Sequence, residues 1–134
     1  DIGLLRKLAE VPVAALVTKD DVIGFREFKG AFAENYVLQS LSTQSTVNLR
    51  YWTSNNSAEV DFLLQYNTHI LHIEVKSGKS TSSRSLTLYN ADKHPILRIR
   101  YSDKELKLDD NLLNIPLYMA DWTFALLDRV IASL

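Results

Sequence analysis

Two short stretches concentrate the residues able to do chemistry. They are Ala58-Glu59-Val60-Asp61-Phe62-Leu63-Leu64 and Ile70-Leu71-His72-Ile73-Glu74-Val75-Lys76. Both alternate, so each reads as a strand whose residues of one parity share a face. Val60, Phe62 and Leu64 share a face in the first, and Leu71, Ile73 and Val75 share one in the second. The opposite faces carry Glu59 and Asp61, then His72, Glu74 and Lys76. Tyr66-Asn67-Thr68 reads as the turn between them. A turn centred between Asn67 and Thr68 makes a hairpin in which Asp61 stands opposite Glu74, and Glu59 opposite Lys76. The first pair sets two carboxylates with Cβ atoms roughly 5 Å apart, which is destabilising while both stay charged and unpaired. A raised pKa on one of them relieves this. So does a divalent cation held between them, and oxygen-only ligands suit a hard ion, Mg2+ or Mn2+. Lys76, on the same face as Glu74, would then lie beside that ion, where it can orient a water or steady charge on a phosphate. The plainer alternative is an amphipathic hairpin whose charged face is simply wet. A slip of one residue in register would exchange the two faces.

The elements that must position these residues follow from periodicity. Glu27 to Leu41 reads as the clearest helix, with an apolar stripe of Phe28, Phe32, Tyr36 and Leu41 and with Ala31, Val37 and Leu38 beside it. This helix carries Glu34 next to Gly30 and Ala33, small residues that allow a close helix–sheet approach. Thr46 to Trp52 alternates as a strand, Ser83 to Asp92 reads as a helix, and Pro95 to Tyr101 as a strand. Lys104 to Leu108 alternates weakly, Asn114 to Met119 reads as a short strand, and Trp122 to Leu134 as a closing amphipathic helix. From Glu27 the order is α-β-β-β-α-β, which predicts an α/β or α+β fold around a central mixed sheet. Ahead of it, Ile2, Leu4, Leu5 and Leu8 are spaced for one face of a short helix, ended by Pro12. The chain opens on Asp1 with that segment already in stride. The expectation is a piece of a longer protein, with Leu4, Leu5 and Leu8 exposed where a neighbour packs.

Composition excludes several classes. A chain of 134 residues with 46% hydrophobic content holds one ordinary core. The absence of Cys excludes a thiolate metal site, a Cys nucleophile and a disulfide scaffold, and it fits a reducing, cytoplasmic setting. No apolar run approaches the ~18 residues of a membrane span, and no signal peptide is visible. A net charge of −1 gives the whole chain no pull towards nucleic acid. Residues 75–108, however, hold eight Lys and Arg against three Asp and Glu. Within them Lys76-Ser77-Gly78-Lys79-Ser80-Thr81-Ser82-Ser83-Arg84 is a basic, hydroxyl-rich loop, and Ser77, Lys79 and Arg84 are its candidate phosphate contacts. An ordinary solvated loop has the same composition. No Gly-rich phosphate loop is present, so this chain is not the ATP-hydrolysing part of any larger machine. His72 reads as an ordinary strand histidine rather than a ligand, His69 and His94 as surface residues. Trp52 and Trp122 read as core or interface packing rather than base-stacking groups.

A set of blocks then carries a resemblance. Gly30-Ala31-Phe32-Ala33-Glu34-Asn35-Tyr36-Val37, Tyr51-Trp52, Ala58-Glu59-Val60-Asp61-Phe62, Ile73-Glu74-Val75-Lys76-Ser77-Gly78 and Asn114-Ile115-Pro116-Leu117-Tyr118 resemble the C-terminal domain of a large family of prokaryotic AAA-type ATPases. That domain has the restriction-endonuclease-like PD-(D/E)XK fold. The resemblance implies an α-β-β-β-α-β core over residues 29–134, with residues 1–28 joining it to an N-terminal ATPase part. It implies Glu34, Asp61, Glu74 and Lys76 as the nuclease-type set. Asp61, Glu74 and Glu34 would hold Mg2+ or Mn2+, and Lys76 would position the nucleophile. Val60 stands where the motif's name has Pro. Two readings follow. One is a metal-dependent nuclease hydrolysing DNA phosphodiesters. The other is a catalytically inactive module of the same fold that binds nucleic acid or protein and regulates the ATPase.

Overall fold

A computed structural model describes residues 1–14, 25–44, 49–53, 59–78 and 94–133. Helix α1 (Ile2–Leu8) is followed by the long helix α2 (Phe25–Gln44). Among the described residues six strands come next: β1 (Arg50–Thr53), β2 (Glu59–Tyr66), β3 (His69–Val75), β4 (Arg98–Ser102), β5 (Lys107–Asp109) and β6 (Leu112–Pro116). A 3-10 helix (Leu117–Trp122) leads into α3 (Thr123–Ile131). The strands form one mixed sheet in the order β1-β2-β3-β4-β6-β5. The first pair and the β2–β3 hairpin are antiparallel, β3, β4 and β6 run parallel, and β5 returns antiparallel along β6. This is a mixed α/β fold with helices against a central sheet.

The β2–β3 hairpin has the expected register, with Tyr66 paired to His69 and Phe62 to Ile73. Asn67 sits at φ 52°, a left-handed conformation that Asn tolerates and a two-residue turn requires. The ladder ends at Phe62–Ile73, and Asp61 and Glu74 are the next residues on their strands.

The core lies on one face of the sheet. Leu64, Leu71, Ile73, Ile99, Tyr101 and Ile115 are fully buried there, against Val37 and Leu41 of α2, Ala120 of the 3-10 helix and Leu127 of α3. Two polar links pin the layers. The Tyr66 hydroxyl donates to Asp128 of α3, and Tyr101 shares a hydrogen bond of 2.5 Å with Thr123.

Several expectations change in detail. The α2 side facing the core is Val37, Ser40, Leu41 and Gln44, whose amide nitrogen reaches the Ala120 carbonyl at 3.1 Å. Phe28 and Leu38 of the expected stripe stand partly exposed, because Phe32 turns to a second, smaller core with Val11, Ile2 and Leu5. Helix α1 ends at Leu8, not at Pro12. Glu10 adopts φ 54°, its N–H bonds the Lys7 carbonyl, and the Val11 N–H bonds the Arg6 carbonyl. This is the Schellman arrangement, and Val11 supplies its apolar contact. The expected strands at Pro95–Tyr101 and Asn114–Met119 become Arg98–Ser102 and Leu112–Pro116. The closing helix begins one residue late, after the 3-10 turn. Trp122 stands 64% exposed and so is not part of this core. The helix expected over Ser83–Asp92, with Lys79 and Arg84, lies outside the described residues. Among the described residues no helix is long and apolar enough to cross a membrane.

Candidate functional site

Strand β3 is buried on both faces from Leu71 to Val75. Its alternation therefore does not separate a dry face from a wet one. The strand lies inside the sheet, between β2 and the parallel β4. His72 is fully buried, and Glu74 is 2% exposed. Burial, and after it the Arg98 cation, push the His72 imidazole down to about 4, so it is neutral in the fold.

A buried carboxylate needs partners. Glu74 Oε1 pairs with Lys76 Nζ at 2.5 Å, two residues along the same face. Among the described residues Glu74 Oε2 has no hydrogen-bond partner. Asp61, across the hairpin, turns its Oδ2 to the Val75 backbone N–H at 2.6 Å. It thereby caps the end of the β2–β3 ladder, and a charge-assisted bond to a backbone donor is a strong one.

Glu34 arrives from α2. Gly30, Glu34, Val37 and Leu41 recur at helical spacing, so they share a face. Val37 and Leu41 enter the core, while the first two meet the open end of the hairpin. A Cβ on Gly30 would lie 4.0 Å from Ser77 Oγ, which shows how near the helix passes to the chain leaving β3. Glu34 is half-buried there. Its pKa is raised, first by desolvation and then by the Asp61 charge, and Lys76 pulls it back. The structure thus brings Glu34, Asp61, Glu74 and Lys76 to one end of the sheet, with Lys76 paired to Glu74 and its charge felt by Glu34. Ser77 is half-buried beside them.

Two neighbours are absent from the sequence-based set. Arg100 is paired with Glu74 in the parallel β3–β4 ladder. Its Nε donates to Asn114 Oδ1 at 2.9 Å, and Ser102 Oγ donates to the same oxygen at 2.7 Å. Asn114 in turn donates to the Lys104 and Glu105 carbonyls at 3.1 and 2.8 Å. Buried Asn114 thereby ties Arg100 and Ser102 of β4 to the Lys104–Glu105 backbone. The available signal was the alternation Arg98-Ile99-Arg100-Tyr101-Ser102, which sets polar residues on the same face as Glu74.

A family model described as a domain of unknown function, DUF4143, matches residues 29–119, more than half of the chain. The chain belongs to the DUF4143 family. No curated protein matches it. The matched span of the DUF4143 domain contains all four residues of the cluster, together with Arg100 and Asn114.

The donor chemistry suits a hard cation in kind, since every acidic group is a carboxylate and one buried oxygen lacks a donor. The arrangement is not yet a ligand cage. Among the described residues no three His, Asp or Glu side chains gather closely enough to hold an ion. Asp61 is turned to a backbone amide and Glu74 to Lys76.

Proposed function

We propose that this domain is a nuclease-fold module that works by binding rather than by cleavage, and that it regulates an attached AAA-type ATPase. The helix-then-hairpin order, the mixed sheet and the cluster at the end of β3 support a restriction-endonuclease-like core. One observation carries the inactive reading: the two central carboxylates are already engaged by groups of the chain itself, Asp61 by Val75 N–H and Glu74 by Lys76. What the module binds is best supported on the α1–α2 side. There a largely apolar groove of about 340 Å³ lies open, lined by Ile2, Leu4, Leu5, Leu8 and Leu38 together with the polar Asp1, Asn35 and Gln39. Exposed apolar grooves of this kind mark protein contacts. The proposed occupant is the ATPase part of the same longer chain.

A second reading is favoured by the unpartnered Glu74 Oε2. In it the cluster holds Mg2+ or Mn2+ and hydrolyses DNA phosphodiesters. Asp61, Glu74 and Glu34 would hold the ion, which would polarise the phosphate and activate a water, and Lys76 would steady developing charge. One experiment separates the readings. Single-stranded, duplex and supercoiled DNA are incubated with the protein and Mg2+ or Mn2+, beside an Asp61→Ala control. The first reading expects no cleavage above the control, and metal-dependent cleavage lost in Asp61→Ala would overturn it in favour of the second.

A further inference from the structure

Glu74 is the most confined charge in the described structure, and it is only half satisfied. Its side chain keeps 3% of its surface in solvent, Oε1 is paired with Lys76, and Oε2 has no hydrogen-bond partner among the described residues. Lys76 differs from it in one respect: its side chain keeps 34% of its surface in solvent. It sits at the end of β3, where the chain continues into Ser77 and Gly78, and a flexible four-carbon stem lets its ammonium turn outward at small cost. Glu74 thus rests on one partly exposed monovalent cation, whose charge Glu34 of α2 also feels, and Asp61 lies near enough to raise the Glu34 pKa.

We infer that Lys76 is a tethered counter-ion that competes with a divalent cation for the Glu74 carboxylate. The side chain must leave Glu74 before Asp61 and Glu74 can hold the cation, so the pair is an autoinhibitory contact. The inference rests on reading this cluster as the module's site, and it supplies a cause for the inactive form. The monovalent ammonium meets one Glu74 oxygen and leaves the other bare, whereas a divalent ion of higher charge density can be shared between oxygens. Removing a charge-assisted hydrogen bond that opposes binding should strengthen binding by about ten- to a hundredfold.

The test is calorimetric titration of the full chain with MnCl2, using wild type, Lys76→Met, Lys76→Arg and the double variant Asp61→Asn with Lys76→Met. Lys76→Met is expected to bind Mn2+ at least about tenfold more tightly than wild type. Lys76→Arg, which keeps the charge, is expected to show no gain, and the double variant to lose it. Measurable binding that is no tighter in Lys76→Met overturns the counter-ion role while leaving a metal site standing. No binding in either protein removes both the inference and the metal reading. A second measurement needs no variant. In wild type, saturating Mn2+ should raise the rate at which an amine-acylating reagent modifies Lys76, read by peptide mass spectrometry. An unchanged rate overturns the proposal even where Lys76→Met fails to fold.

Discussion

At the scale of single residues, the Glu74–Lys76 pair makes unequal demands on its two members. Removing one partner of a buried pair leaves a charge without compensation, typically at a cost of 3–5 kcal/mol. Lys76 is one-third exposed, so water softens that figure. Lys76→Met is expected to lose about 2–3 kcal/mol of stability in urea unfolding without added metal. Glu74→Gln is expected to lose less, because the ammonium it strands can turn to solvent. The reverse order would mean that the carboxylate is held by something other than Lys76. His72 makes a second prediction. Its folded pKa, about 4, lies below the ordinary value of 6.5. The unfolded chain therefore takes up the proton first as pH falls. The stability due to neutral His72 is complete above pH 6.5 and is lost between there and pH 4, amounting to about 3 kcal/mol. Urea unfolding at pH 7 and pH 4.5 should show this loss in wild type and not in His72→Leu. A common slope for both would show that other groups drive the acid sensitivity. The burial of His72 was not legible in the sequence. Alternation along β3 describes one strand, while the residues beside its second face, Arg98 next to His72 and Arg100 next to Glu74, stand on β4, more than twenty residues away in the chain.

Elements were legible where their contacts are local. The hairpin could be registered from Asn67 and two alternating runs, because both strands and the turn lie within eighteen residues. The rotation of α2 could not. Phe28 and Phe32 enlarge the apolar stripe in sequence, yet Phe32 serves the small core with Val11, and its ring stacks 6.5 Å from Phe28. The face that meets the sheet is set instead by Val37 and Leu41, and that rotation delivers Glu34 to the end of the hairpin. This predicts a contrast within one helix. Leu41→Ala, at a fully buried site, is expected to cost about 3 kcal/mol through lost transfer energy and a residual cavity. Leu38→Ala, three residues earlier and 37% exposed, is expected to cost no more than about 1 kcal/mol. Chemical denaturation of the two variants decides it. Equal losses would place both leucines in the core and rotate Glu34 away from Asp61.

On the scale of the whole molecule, the sheet has one apolar face for folding and one polar face that ends in the carboxylate cluster. The α1–α2 groove belongs to neither. None of α1's residues is buried, and Leu4 and Leu8 stand 59% and 74% exposed. What holds α1 to α2 is the small core of Ile2, Leu5, Val11 and Phe32, while its ends are closed locally: the Asp1 carboxylate caps Leu4 N–H at 2.8 Å, the Schellman turn ends the helix, and Arg6 donates to the Val11 carbonyl at 2.8 Å. None of these contacts uses the Leu4 or Leu8 side chains, so those leucines contribute little to this chain's own stability. Leu8→Asp should therefore unfold in urea within about 0.5 kcal/mol of wild type. If the groove receives the ATPase part of a longer chain, the same change buries an unpaired charge in that contact and should abolish association, since such a charge costs far more than the lost apolar area. Calorimetric titration of the separately produced ATPase part into wild type and Leu8→Asp reads this directly. Binding to wild type alone would support the groove as the route by which the two parts communicate. Equal binding to both would move the contact elsewhere, and unfolding of Leu8→Asp would make the groove part of this domain's own core.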